Sequence, residues 1–229
     1  MDNFLDLSTA WEVADRYVGP DAYLGHDDQG NGYGEAPMKE RVRCFGSGDE
    51  AYARYHDEEW GRPVHDSDDE RELFERLCLE GFQAGLSWLT VLRKRDAFRR
   101  AFAGFDPAVV AEFGDEEVEA LMQDPGIIRN RMKIQATIGN ARALLALHDA
   151  GERLRDLVAS HRPARHHRPL TFADLAASTP ESTALSKELK KRGFRFVGPT
   201  TVYALMQALN IVDDHLAGCW VAQERDTAP

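Results

Sequence analysis

Two pairs of residues near opposite ends of the chain have the chemistry of metal ligands. Cys44 and His56 are separated by 11 residues, on an extended entry and on a helix. His215 and Cys219 form an H-x3-C pair, a spacing that sets both side chains on one face of a helical turn. Two thiolates and two imidazoles make a closed tetrahedral zinc site with no open position for water, and such a site would staple the start of a domain to its end. Neither half is a tight zinc-finger signature. Two buried cysteines and two hydrogen-bonded histidines fit the same pattern.

A second constellation centres on Leu77-Cys78-Leu79-Glu80-Gly81-Phe82-Gln83-Ala84-Gly85-Leu86-Ser87-Trp88. Phe74, Leu77, Cys78 and Leu89 recur at roughly helical spacing, and one carboxylate, Glu80, interrupts that apolar surface. A glycine inside a helix costs about 1 kcal/mol against alanine, so Gly81 and Gly85 together predict close approach of another backbone or of a ligand. Trp88 follows as a flat apolar ring. Folded together with Tyr55 and Trp60, these residues would offer stacking faces, a phenol and one buried acceptor. That combination suits a flat, polar-edged, partly cationic ligand. A core helix with Glu80 turned to solvent is the alternative.

The third feature is a helix, Gly193, a turn, Gly198 and another helix. Glycines permit positive φ in the turn, and the second helix presents unpaired N–H groups at its start, where Pro199 has no N–H to lose. Such a unit can hold a DNA phosphate, with Lys187, Lys190, Lys191, Arg192 and Arg195 adding charge. It is also compatible with an ordinary helical corner. No Ser–His–Asp order, P-loop or glycine-rich dinucleotide motif is present.

The elements that must position these residues are helical throughout. Helices are expected at Asp49–Trp60, from an acidic start at Asp66–Glu70 through the Glu80 segment, and at Thr90–Phe102. Asp106-Pro107 begins the next, as an N-cap followed by proline, through Glu112. Others cover Asp115–Met122, Ile127–Leu147, Phe172–Ala177, Glu181–Arg192 ending at Gly193, and Thr200–Leu209. The long helix is expected to expose Arg129, Arg131, Lys133 and Arg142. Strand signals are almost absent, so the fold class is all-α. Residues 160–170 read as a basic loop with two prolines.

The net charge of −11 argues against indiscriminate nucleic-acid binding, yet the charge is uneven. Residues 1–40 carry a net −7 and residues 126–200 a net +8, which is compatible with one local phosphate-binding face. Residues 1–40, with Gly and Asp concentrated between Gly25 and Gly34 and a short amphipathic stretch at Leu5–Ala14, read as a flexible acidic extension. A compact domain is expected over residues 41–222, followed by a polar tail at 223–229. Three cysteines make no disulfide framework, no run of about 18 apolar residues would span a membrane, and the N-terminus lacks a signal-peptide pattern. The expectation is a cytoplasmic protein, monomeric, with no membrane partner.

Taken together, Arg43-Cys44, Tyr55 to Gly61, Leu77 to Trp88, Gly126 to Arg129, Lys133 to Ala136, Gly139 to Arg142, Ser186 to Gly198 and Asp214-His215 to Cys219 resemble the bacterial 3-methyladenine DNA glycosylase I family over roughly residues 41–222. The resemblance implies a helix-hairpin-helix glycosylase fold and a structural zinc, one per chain, on Cys44, His56, His215 and Cys219. It places Glu80 and Tyr55 where the edge of the methylated adenine is read, Glu80 also as the catalytic group, and Trp88 where the ring stacks. Trp60 joins them as a further base-binding candidate. Gly85 and Leu86 fall on the loop entering the DNA gap, and Arg195, Gly198 and Thr200 on the DNA-holding hairpin. Family members carry a tryptophan two places after the first cysteine. This chain has Gly46 there, with Phe45 before it as the candidate replacement, and its Cys44-to-His56 interval is one residue shorter. The implied activity is hydrolysis of the N-glycosidic bond of 3-methyladenine in alkylated double-stranded DNA, without strand cleavage. A zinc-stabilised DNA-binding module without catalysis, or an enzyme with a shifted modified-base preference, are the alternatives.

Overall fold

The computed structural model describes residues 41–65 and 67–227. The acidic extension expected at 1–40, its short helix, and Asp66 lie outside the described residues. Eleven α-helices occur among the described residues and no strand does, as the absence of β-patterned segments predicts. They are α1 (Glu50–Glu58), α2 (Arg71–Gln83), α3 (Trp88–Leu92), α4 (Arg95–Ala101), α5 (Pro107–Ala111), α6 (Asp115–Gln123), α7 (Arg131–Asp149), α8 (Leu154–Ala159), α9 (Pro180–Lys191), α10 (Pro199–Ala208) and α11 (Trp220–Thr227). None is long and apolar enough to cross a membrane.

The core forms around α2, which packs against α3, α7 and α10. Leu73, Phe74, Leu77 and Phe82 are buried there. A run of aromatic rings extends the core: Phe82 to Phe98 at 4.5 Å, Phe98 to Phe102 at 6.3 Å, and Phe102 to Phe105 at 5.6 Å between centroids. A smaller buried cluster holds Cys44, Cys219, Val221 and Ala222, with Phe45, Trp60 and Trp220 packed on it.

Local capping explains several helix starts. Asp49 accepts from the Tyr52 N–H at 2.9 Å, and Asp106 from Ala108 and Val109 ahead of Pro107. Elsewhere the boundaries differ from expectation, for long-range reasons. In the acidic run before α2, Asp69 caps as expected, accepting from the Arg71 N–H at 3.1 Å, but Glu70 does not. Glu70 is left-handed, with φ 51°, and its buried carboxylate instead accepts from Leu154 and Arg155 at the start of α8, and pairs with His148 at 2.7 Å. Helix α8 escapes sequence reading because its cap comes from a residue 84 positions away. Thr90–Phe102 is two helices, broken where the Lys94 ammonium reaches across to the carbonyls of Pro125 (2.8 Å) and Gly126 (3.3 Å). The long helix starts at Arg131 and not at Ile127, because Asn130 caps it, while Phe172–Ala177 is a single tight turn at Phe172–Asp174. Beyond Ala222 the chain is helical to Thr227, so the expected tail begins inside a helix.

Two cations expected on the exposed face of the long helix cap carbonyls, Arg142 while exposed as expected and Lys133 from a buried position. Lys133 is buried, and its ammonium donates to Phe82 O at 2.8 Å and Ala84 O at 2.6 Å, closing the end of α2. The Arg142 guanidinium does the same for Ala111 O and Phe113 O after α5. The glycine pair has two separate causes. A Cβ on Gly81 would meet the Phe196 Cβ at 3.2 Å, so Gly81 lets the α9–α10 turn approach, whereas Gly85 carries φ 81° just past the helix.

Replacing Lys133 by Met keeps the stem and leaves two carbonyls without their charged donor. The expected loss is about 2–4 kcal/mol, read as a lower urea midpoint at unchanged slope. A change below about 0.5 kcal/mol would contradict the capping role.

Candidate functional site

Helix α2 carries Glu80 into a cleft walled by Tyr55 of α1, Trp88 of α3 and Ala208 of α10, with Arg95 and Arg99 of α4 at its side. The Tyr55 and Trp88 rings stand 5.2 Å apart, tilted by 44°. Glu80 is buried at 5% exposure, so the solvent-facing alternative for its helix is excluded. Four carboxylates and three arginines line this cleft. Arg95 grips Glu59 through both of its terminal nitrogens, at 2.5 and 2.8 Å, Arg76 pairs with Glu72 at 3.0 Å, and Arg99 with Glu75 at 2.8 Å. Glu80 alone among these seven groups has no ion pair, and its buried Oε2 has no hydrogen-bond partner. The indole Nε1 of Trp88 is likewise buried and unpaired.

An unpaired buried carboxyl resists ionisation. Burial pushes Glu80 up to about 8, with Arg76, one turn earlier on α2, pulling the other way. Burial first and Glu80 second also raise the phenol of Tyr55 well above its ordinary value, so Tyr55 is a neutral hydroxyl. The cleft therefore offers aromatic faces and one uncompensated acid. A flat cation with hydrogen-bond donors at its edge supplies what the empty arrangement lacks.

The Cys/His group meets α1 at His56, the residue after Tyr55. Ligand atoms of Cys44, His56 and Cys219, all buried, are within 4.8 Å of one another. His56 Nε2 is 3.4 Å from the Cys219 sulfur. Hydrogen bonds from the Cys44 thiol and from His56 pull the Cys219 thiol down, while the hydrogen bond with Cys219 and then burial push Cys44 up. His215 packs against His56 with ring centroids 5.4 Å apart, and its buried Nε2 has no partner. The other nitrogen of each ring meets an aspartate: His56 Nδ1 to Asp57 at 2.9 Å and His215 Nδ1 to Asp213 at 2.8 Å. Carboxylates in that position fix the tautomer a metal needs. Two sulfurs, two imidazoles and an orphaned ring nitrogen fit a zinc ion chemically.

Trp60 belongs to this group and not to the cleft. Its ring sits 4.5 Å from that of His215 and 6.1 Å from that of His56. Phe45 spans the two regions, 5.0 Å from Trp60, 4.9 Å from His56 and 6.3 Å from Tyr55. Asp213 and Asp214 serve structure as well. Asp213 holds His215 and Arg168, and buried Asp214 accepts from Tyr203 (2.7 Å) and Gln207 (2.6 Å).

The remaining candidates lie on exposed loops. Gly85 and Thr200 are exposed, Gly198 is half-buried, and Leu86 shows 42% of its surface. The α9–α10 turn is fixed by Asn140, whose side chain exchanges two hydrogen bonds with the Arg195 backbone (2.7 and 3.1 Å), and by Ser186 donating to Val197 O at 2.6 Å. That leaves the Arg195 side chain exposed. Gly193 has φ 91°, as expected, but the second positive φ is on Phe196 (55°) and not on Gly198, which is the ordinary N-cap of α10.

The sequence model for methyladenine glycosylases matches residues 45–223. The chain belongs to this family. DNA-3-methyladenine glycosylase 1 of Escherichia coli (strain K12) is 53% identical over 181 residues, covering 77% of this chain and 95% of that protein. A crystal structure of 3-methyladenine DNA glycosylase I superposes with TM-score 0.74 at 49% identity, covering 78% of this chain and 98% of that one. The Staphylococcus aureus 3-methyladenine DNA glycosylase I, whose structure addresses 3-methyladenine recognition, gives TM-score 0.72 at 35% identity over 77% of this chain and 94% of that one.

Two glycines acquire meaning in a methyladenine glycosylase. At Gly46, with φ 92°, a Cβ would fall 2.8 Å from the Ala53 backbone, so this backbone has no room for a larger side chain there. At Gly61 a Cβ would fall 2.7 Å from the His215 ring, so glycine is what lets the chain cross that imidazole. The paired charges at Glu59–Arg95 and Arg76–Glu72 were not legible as site residues. The only sequence signal for them is an excess of ionic residues on otherwise apolar helices.

The Glu80 environment has a pH signature. The folded carboxyl keeps its proton to about pH 8, whereas an unfolded chain releases it near pH 4.3. The native state holds the extra proton across that window, so Glu80 makes stability fall as pH rises from about 4.5 to 8. Glu80→Gln removes this contribution and should gain on the parent with pH, by on the order of 3 kcal/mol at pH 8. Urea unfolding at pH 5 and pH 8 measures it. A pH-independent difference between the two proteins would contradict the assignment.

Proposed function

We propose that this methyladenine glycosylase hydrolyses the N-glycosidic bond of 3-methyladenine in alkylated double-stranded DNA, as a base-excision repair enzyme. The observation that carries the reading is the single uncompensated carboxyl, Glu80, beside the facing rings of Tyr55 and Trp88. Methylation at N3 makes the bonded base cationic. Extruding it from the duplex costs a few kcal/mol, less for a poorly stacked base. In the cleft the cation meets aromatic faces, worth about 1–2 kcal/mol when desolvated. Its charge brings Glu80 back to the carboxylate, which accepts from the base edge. Neutral adenine brings no such charge, so ionising Glu80 against it stays costly, and this is the basis of discrimination.

The chemistry asks little of an acid. When the glycosidic bond breaks, its electron pair goes to the cationic ring, and the base leaves neutral without needing a proton. Positive charge moves to the sugar, where ionised Glu80 stabilises it electrostatically, and water completes the hydrolysis. No lysine stands at the hairpin position where a Schiff base would form, so strand cleavage is not part of the reaction. The turn after α9 and the first N–H groups of α10 would hold a DNA phosphate, with Arg195 beside them, in the manner of a helix-hairpin-helix. Gly85 and Leu86 would enter the gap left by the extruded nucleotide.

Cys44, His56, His215 and Cys219 would hold one structural zinc. Its contribution would be a cross-link between the two ends of the domain, remote from the reacting bond. The orphaned His215 Nε2 and the aspartate behind each ring support this reading.

Incubation with methylated DNA should release free 3-methyladenine, and Glu80→Gln should slow release by roughly a hundredfold while keeping the fold. Unchanged release by the folded variant would remove Glu80 from the mechanism. Scoring 3-methylguanine and 7-methylguanine alongside tests the base preference, given Phe45 in place of the usual tryptophan. Elemental analysis should find about one zinc per chain, lost in Cys219→Ser; a metal-free, fully folded parent would refute the zinc.

A further inference from the structure

Among the most exposed large apolar side chains of the described residues is Met132, at 63%, in the first turn of α7. Methionine so placed gains nothing for the fold. Its surroundings say what it faces. The segment 124–133 lies alongside the segment 84–94 and is tied to it at two points. At one end Lys133, the residue after Met132, donates to Ala84 O at 2.6 Å. At the other, Lys94 donates to Pro125 O at 2.8 Å and Gly126 O at 3.3 Å. Lys133 also lies 6.0 Å from the ring of Phe196, in the α9–α10 turn. One buried cation thus holds three exposed loops together: Gly85–Ser87 with Leu86, Arg129–Met132, and Arg195 with its neighbours.

The charges of the middle loop are informative. Arg131 is occupied by Glu119 at 2.6 and 2.9 Å. Arg129 is exposed and has no acidic partner among the described residues. An exposed apolar side chain three residues from a guanidinium with no acidic partner among the described residues, on a segment that Lys133 ties to the loop carrying exposed Leu86, matches the chemistry of a duplex at a disturbed step. Base and sugar faces are apolar, and phosphates run alongside.

We propose that Arg129 and Met132 form a second DNA contact beside the Leu86 loop, with Met132 packed on the base or sugar face exposed next to the vacated position and Arg129 on a flanking phosphate. The proposal rests on the reading of Leu86 as the gap-entering residue and extends it. Lys133 is the positioning residue that sets the distance between the two apolar side chains.

The test is equilibrium binding of the full chain to two duplexes of one sequence, one intact and one carrying a tetrahydrofuran abasic-site analogue, over a range of salt. Leu86→Ala, Met132→Ala and Arg129→Ala are compared with the parent. Met132 is largely exposed, so its truncation leaves folding intact, which the unfolding midpoint verifies. Met132→Ala is expected to weaken binding to the abasic duplex about five- to tenfold, with a smaller effect on the intact one. Arg129→Ala is expected to weaken both and to lower the salt slope by about one. If Leu86→Ala loses the preference for the abasic duplex while Met132→Ala and Arg129→Ala bind like the parent, the second contact is wrong and the Leu86 reading stands. If Leu86→Ala also binds like the parent, the gap-entering reading fails, and the proposal with it.

Discussion

A carboxylic acid inside an apolar core must be paired, left protonated, or kept for something that arrives later. Helix α2 passes through the middle of the fold with Glu75 and Glu80 on it, among Phe74, Leu77 and Phe82. At Glu75 the first solution is used, with Arg99 reaching in from α4. At Glu80 neither oxygen is given an ion-pair partner, although Arg76 and Arg95 both border the same cleft. Those arginines are committed to Glu72 and Glu59. The arrangement spends nearby positive charge elsewhere and leaves one site that a cationic base can complete. Walls from α1, α3, α4 and α10 then do no more than shape the space around that vacancy of charge.

Holding α2 so that Glu80 faces the cleft requires its ends to be fixed, and side chains from distant parts of the chain do this. Lys133 closes its C-terminal end, Asn140 and Ser186 brace the turn that Gly81 admits, and Glu70 links its start to α8. Interactions of this kind set the limits of what could be read beforehand. Asp49, Asp106-Pro107 and Gly193 act within a few residues of themselves, and the elements they delimit were legible. Glu70 acts 84 residues away, and its role in starting α8 was not. Lys133 reads as a solvent-facing cation because helical spacing reveals a face. It does not reveal that a neighbouring helix ends against that face.

The site divides in the same way. Glu80, Tyr55 and Trp88 come together as the motif resemblance implied, and three of the four Cys/His ligand candidates converge with the fourth ring packed on them. Trp60 was misplaced because the aromatic residue type does not say which of two neighbouring clusters it joins. Its ring packs on the histidines, where Gly61 lets the chain cross His215. The pairing of charges around Glu80 was not visible either. Sequence supplies the seven ionic residues, and only the packing of α4 against α2 decides which acid is left out.

Helix α11 reaches back to the first of the described residues. The Trp220 N–H donates to Val42 O, its indole to Asp57, and Arg225 to Gly61 O, each across more than 160 residues of chain. On a ribosome, which emits the chain from its N-terminus, α1 emerges well before α11 and lacks these neighbours until that helix has been made. The Tyr55 wall of the cleft hangs from α1, so a nascent or prematurely terminated polypeptide cannot assemble the recognition pocket. Competence to handle a genome waits on α11.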